Sequence, residues 1–511
     1  MYVTMLLLSV VIFIVTVAAY LRQPNASVLH PATFYILFHG VVFVIRPIFG
    51  WYYGYTIFYD AAKFTPSIWE KTQALICTNL ALVVFVTVMI VLTREKFHFN
   101  QDRFDIAQRS LLLQRFWIVA IPLGLLGLYS IYWLLDYQQS GELVARLDMR
   151  SGWREMQGTN GYFYAAGGLL VPIVAIIAFL GRFRLWSLLP FAAFGLLRFA
   201  TGQRGDAVAA AVMIALLYMY DKRRKWPTLV VIASFAALVP IFDSVLSDRG
   251  AGLRQTMGYE VSGVYEYIAE RERVEAPLET RDLSALEMVE YLVWAVPKRS
   301  GSYDYFLQNL QIFTEPIPRA LWPDKPIGAP IKLFDLYSHA IPIGGVYSVP
   351  GAGWVYWGFM GVAIWSAVFA AIYAGAYNVF ARSQQTNLAV IAYVIFLSTA
   401  IIAYRDGTIL TILKQLLFYI GPFVGLVLLC WATKLPGRDE LRRLWSAKAQ
   451  LEDEQPDARG PALSPRERRR GLTAVRKRSD PELDAVTAPV AERSLPTPRI
   501  RRRVRAAQAS T

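Results

Sequence analysis

Residues 73–93 read QALICTNLALVVFVTVMIVLT, without one charged side chain. A helix of that length is about 32 Å long, which matches the hydrocarbon thickness of a bilayer. Similar apolar runs recur at 2–21, 33–53, 116–136, 161–181, 184–200, 206–220, 227–246, 352–380, 387–404 and 413–432. The chain is therefore expected to be an all-α polytopic membrane protein with eleven transmembrane helices. Composition agrees: 55% of residues are hydrophobic, 18% are charged, and mean hydropathy is +0.36. The apolar residues come in runs rather than in the alternation of a soluble domain.

Short loops rich in Lys and Arg stay cytoplasmic. Here they are residues 94–115, Arg182 with Arg184, and Lys222-Arg223-Arg224-Lys225, and eleven spans put all of them on one side. The N-terminus then lies outside, and the outer connections are 54–72, 137–160, 201–205, 247–351 and 405–412. Four regions follow: spans one to eight (1–246), a large extracytoplasmic loop (247–351), spans nine to eleven (352–433) and a cytoplasmic tail (434–511). The net charge of +14 belongs mostly to that tail, which holds 19 basic and 11 acidic residues from Lys434 onward. Its Pro, Ala, Arg and Ser content cannot build a core, so it reads as disordered and attracted to anionic headgroups rather than to nucleic acid.

The large loop carries 14 acidic and 10 basic residues. Ser284-Ala285-Leu286-Glu287 has capping-box spacing and opens the run MVEYLVWAV (288–296), too short to span and expected to lie in the outer interface as an amphipathic helix. Cys77 and Cys430 both sit in candidate spans, which leaves no disulfide framework or thiolate metal site. No spacing resembles a metal cluster, a phosphate-binding loop or a nucleophile elbow.

Ionisable residues near the outer ends of spans are costly, and here they are arginines: Arg46, Arg198, Arg204 and Arg405. Their guanidinium forks suit phosphate oxygens. The turn TGQRGD (201–206) adds two glycines and an outward helix N-terminus, both favourable to an anion. In the loop, Lys298, Arg299, Arg319 and Lys325 supply further positive charge. Trp322 stands among aromatics (Tyr291, Trp294, Tyr303, Tyr305) able to stack on sugar rings, whereas Trp354 to Trp357 read as an interfacial aromatic belt. His339 is the only outer histidine and a candidate general base, with Asp304, Asp324 and Asp335 as rivals. His39, seven residues before Arg46, reads as a buried packing group.

In its order of features the chain resembles the bacterial oligosaccharide repeat-unit polymerases, the O-antigen polymerase family. The likeness rests on TGQRGD between two spans, on PKRSGSYDYF (297–306) and IPRALWPDKP (317–326) in a long outer loop, and on SVPGAGWVYWGFMGV (348–362) entering a span; it covers most of residues 30–430. It implies an enzyme of the bacterial inner membrane that joins polyprenyl-diphosphate-linked repeat units at the outer face, without a metal or nucleotide sugar as cofactor. It makes Arg204 a pyrophosphate contact and Arg319 a second, with membrane lipids, a flippase and a chain-length regulator as partners. In the related ligases a histidine often immediately precedes the span after the large loop. Here residues 351–354 occupy that point and His339 lies upstream. The acceptor hydroxyl would attack the anomeric carbon, and preorganised arginines would meet the charge on the departing diphosphate. An O-antigen ligase differs in acceptor alone. A non-enzymatic polysaccharide flippase would have short loops and charges deep in a cavity.

Overall fold

The computed structural model describes residues 1–100, 103–139, 165–201, 204–234, 255–256, 258, 276–280, 283–317, 321–322, 324–326, 328–339, 346–436, 440–443 and 446. The chain divides into two units, Met1–Pro436 and Gly437–Thr511. The expectation of a disordered tail falls almost wholly outside the described residues.

Among the described residues the first unit is all helical. Helix α1 is Tyr2–Leu21. α2 (Pro31–His39) runs through a π-helical stretch, Gly40–Ile45, into α3 (Arg46–Tyr53). α4 is Ile57–Ala62, α5 Ile68–Leu92 and α6 Arg103–Gln139. A 3-10 turn, Ala166–Leu169, leads into α7 (Leu170–Leu180), followed by α8 (Leu185–Ala200) and α9 (Arg204–Asp221). α10 is Ala285–Ala295 and α11 Ser348–Arg382. α12 (Asn387–Ser398) with α13 (Ala400–Asp406) precedes α14 (Ile409–Ala432). Seven stretches are long and apolar enough to cross a membrane: Tyr2–Leu21, Pro31–Tyr53, Ile68–Leu92, Phe104–Leu135, Ser348–Arg382, Asn387–Asp406 and Ile409–Ala432. The helices at the expected spans 161–181, 184–200 and 206–220 are shorter, and the expected span 227–246 lies outside the described residues beyond Ser234.

Local sequence explains the helix starts. The His30 ring accepts the Ala32 N–H at 3.3 Å and Pro31 needs no donor at its position, so α2 begins there. Ser67 and Glu70 form a reciprocal capping box on α5.

Contacts between loops define two ends of the bundle. At one, Arg382 pairs with Glu95 at 2.8 Å, Arg109 with Asp221 at 2.7 Å, Arg182 donates to the Ile106 carbonyl at 3.1 Å, and the Val28 N–H bonds the Lys225 carbonyl at 2.8 Å. The basic short loops are thus gathered together. At the other end Glu279 accepts the Thr56 and Ile57 N–H groups at 2.8 and 3.0 Å, and Lys298 lies 3.8 Å over the Trp69 ring.

Two expectations for this second end are corrected. Ten of the eleven residues of α10 are buried, all but Trp294, so it is enclosed by the bundle against α5 and α11 rather than lying in an interface. Ser284 makes no side-chain cap, because Glu287 turns away to Arg46. The aromatic span entry is also core: Trp354 is buried with its Nε1 donating to the Val296 carbonyl at 2.9 Å, and Tyr356 is fully buried, leaving only Trp357 exposed. The reason is an elbow at Trp357 (φ −165°, ψ 44°) and Gly358 (φ 57°, ψ −142°). In a straight helix Gly353 and Gly361 would stand about 12 Å apart along the axis; here a Cβ on Gly361 would overlap the Gly353 carbonyl.

Candidate functional site

Among the described residues, α7, α8 and α9 do not extend as far as α6 and α14 at this end. A Cβ on Gly127 of α6 would meet Leu170, and one on Gly421 of α14 would meet Leu169, so the start of α7 is level with those positions. At 1.5 Å per residue α6 then continues about 18 Å beyond that level and α14 about 13 to 18 Å. Among the described residues, the end of α8 and the start of α9 form a floor set below the ends of α6 and α14.

One buried ion pair lies on that floor. Arg198, 2% exposed, forms an ion pair with Asp206 across the α8–α9 turn. Its guanidinium lies against Gly167, where any Cβ would overlap it, and a Cβ on the adjoining Gly168 would touch Phe418 and Tyr419 of α14. A buried arginine paired with one carboxylate is held rigidly, since losing the partner would strand a charge in low dielectric. The backbone of Arg204 begins α9, whose first-turn N–H groups have no partner within the helix itself. Its side chain and residues 202–203 lie outside the described residues.

The large loop reaches the same helix. Glu315 pairs with Lys414 of α14 at 2.6 Å, one turn before Phe418. Lys325 donates to the carbonyls of Glu315 and Ile317 at 3.0 and 3.1 Å and lies 3.9 Å from the Glu315 carboxylate. Burial alone would raise the Glu315 carboxyl; the hydrogen bond and charge of Lys414, with help from Gln311 and Lys325, reverse this and hold it below its ordinary value. Lys325 is therefore a staple across IPRALWPDKP rather than a free cation. Arg319 itself lies outside the described residues.

The other expected residues are dispersed. Arg46 is buried far along the chain's second span, paired with Glu287 of α10, donating from Nε to the Leu278 carbonyl at 3.1 Å and stacked 5.1 Å over Tyr55. Arg46 and Arg198 thus serve different carboxylates on different elements. Lys298 caps Trp69, and Arg299 lies 3.7 Å over Trp294 while donating to its carbonyl at 2.6 Å, so both fasten the loop to itself or to α5. Trp322 is 37% exposed. Arg405 ends α13 half-buried, while the neighbouring Asp406 accepts the Thr411 hydroxyl at 3.1 Å. His339 is half-buried in a turn closed by its N–H on the Leu336 carbonyl at 3.1 Å. Asp304 accepts the Gln308 N–H at 2.9 Å as a local cap, and Asp324 and Asp335 are exposed. His39 is fully buried among Phe13, Tyr35 and Phe43, as a packing group would be.

Sequence reasoning missed one cluster. Glu290 is fully buried beside Glu287, and the Tyr59 hydroxyl donates to its Oε2 at 2.7 Å. Burial first, and the Glu287 charge second, push its carboxyl from 4.5 up to about 8, against the pull of Lys71, Tyr59 and Arg46. The i, i+3 spacing of two glutamates in an apolar run was the available signal. No family model, curated protein or solved structure matches this chain.

Proposed function

We propose that this chain is a metal-independent membrane glycosyltransferase that polymerises polyprenyl-diphosphate-linked oligosaccharide repeat units on the outer face of a bacterial inner membrane. The observation that carries the reading is the join between loop and floor. Glu315, at the threshold of IPRALWPDKP, is tied to Lys414 of α14, and the same helix packs through Phe418 and Tyr419 beside Gly168 next to Arg198. The end of α8 and the threshold of the loop motif, more than a hundred residues apart in sequence, are thereby held on one helix.

A lipid diphosphate suits the recess above the floor. Its tail runs along α6 or α14 in the bilayer, and its headgroup meets the N-terminus of α9 and the arginines of the turn, Arg204 foremost. By the charge rule the basic loops at the opposite end are cytoplasmic, and with the eleven crossings expected from the sequence the large loop lies outside. The acceptor hydroxyl attacks the anomeric carbon, the bond to the diphosphate breaks, and positive groups preorganised around the leaving group lower the barrier. Deleting the gene tests the assignment. Loss of long surface chains with a single repeat unit retained is expected; complete loss of polysaccharide from the final lipid acceptor would instead mean a ligase, and unchanged chains would remove the reading.

A further inference from the structure

Among the 24 residues of α14 one is ionisable, Lys414. A cation inside an apolar span is costly, and its position on the helix says where it is aimed. Lys414, Phe418, Gly421 and Gly425 recur at i, i+4, i+7 and i+11, so they share one face. The last three are packed: a Cβ on Gly425 would meet Val119 of α6, one on Gly421 would meet Leu169, and Phe418 adjoins Gly168. Lys414 stands about 6 Å further along the axis than Phe418, above the level at which α7 begins. There its side chain is 52% exposed. The face that rests on α6 and the start of α7 thus continues outward into the recess and presents an ammonium group there.

That ammonium holds Glu315 Oε1 at 2.6 Å, but the loop carboxylate has other support. Gln311 donates to its Oε2 at 3.2 Å, and Lys325 lies 3.9 Å from the same oxygen while clamping the carbonyls of Glu315 and Ile317. Lys414 can leave Glu315 without stranding it.

We propose that Lys414 is a second cationic contact for the lipid diphosphate, exchanging Glu315 for a phosphate oxygen when the headgroup settles on the floor. This deepens the polymerase reading above and rests on it. Glu315 offers a single negative charge that Gln311 and Lys325 already share, whereas a diphosphate carries more than one. Lysine suits an exchange of partners, being a compact charge on a flexible stem; Arg198, pinned between Asp206 and Gly167, does not move with the headgroup. When the sugar–oxygen bond breaks, its electron pair stays with the diphosphate. The attraction of Lys414 therefore grows as the bond breaks, which favours the transition state over the bound substrate.

The test is a fluorescent polyprenyl diphosphate without sugar, titrated onto the full-length protein in phosphatidylcholine vesicles. Lys414→Met should weaken binding about tenfold or more, as loss of a charge-assisted contact does, and Lys414→Arg should restore most of it. Glu315→Gln breaks the same ion pair but frees the ammonium from its competitor, so it should bind at least as tightly as the wild type. Equal weakening by Lys414→Met and Glu315→Gln would make the pair a loop fastener only and overturn the proposal, as would wild-type affinity in Lys414→Met. Displacement of the probe by phosphatidylglycerol as readily as by unlabelled polyprenyl diphosphate would assign the lysine to bulk lipid headgroups and overturn it as well. Binding that follows Lys414 in a protein that makes no polymer would keep this contact and remove the polymerase reading. Polymer made at the wild-type rate by Lys414→Met would do the reverse.

Discussion

At the scale of single residues, Arg204 is expected to be the most sensitive position. Arg204→Ala should lower polymer output by on the order of a hundredfold or more, as removal of a preorganised donor does elsewhere. Arg204→Lys keeps the charge but loses the planar fork and should stay impaired. Surface polysaccharide ladders from equally expressed variants are the measurement, and a wild-type ladder from Arg204→Ala would remove the centre of the site. Gly167 offers a sharper structural check. Its missing Cβ is what admits the Arg198 guanidinium, so Gly167→Ala should destabilise the protein by roughly 1–3 kcal/mol through overpacking, read as a lower thermal midpoint. Arg46→Ala should cost more, roughly 3–5 kcal/mol, because it abandons Glu287 as an unpaired buried charge. The candidate arginines were legible from their position near span ends. Their partners were not: Glu287 sits at capping-box spacing from Ser284, and nothing local in SALE says that the carboxylate leaves its own helix for Arg46, 241 positions earlier.

At the scale of elements, α10 is the part of the large loop that the bundle encloses. Its stability should depend on pH with a definite sign. The Glu290 carboxyl is raised from 4.5 to about 8 on folding, so the folded protein holds a proton that the unfolded chain releases earlier. The contribution is fully present below about pH 4.5, falls as pH rises, and is lost once pH passes about 8. Thermal midpoints in one detergent should therefore decline across that window, and Glu290→Gln should flatten the decline. An identical slope in the variant would assign the effect to another group. Read from sequence, the two glutamates of α10 look like the wet face of an interfacial helix. They are instead buried, because Arg46, Tyr59 and Lys71 arrive from other elements to meet them. The apolar runs of α1, α5 and α14 were legible at once, since length and lack of charge are local properties. The elbow in α11 was not, for the glycines that permit it also occur in straight transmembrane helices.

At the scale of the whole molecule, the account requires the basic end of the bundle to be cytoplasmic and the loop to face outward. A cysteine introduced as Ser302→Cys should react with an impermeant reagent in intact cells whose outer membrane has been opened; reaction only after the inner membrane is permeabilised would invert the topology. Truncation after Leu441 should leave polymer length unchanged, since the proposed chemistry sits at the opposite end from Pro436 and the tail lacks core-forming residues. The most direct measurement is reconstitution. Purified protein in vesicles, given one polyprenyl-diphosphate-linked repeat unit and no nucleotide sugar, should produce a ladder of longer chains and release one free polyprenyl diphosphate for each linkage formed. A repeat unit that remains single, with no diphosphate released, would contradict the account.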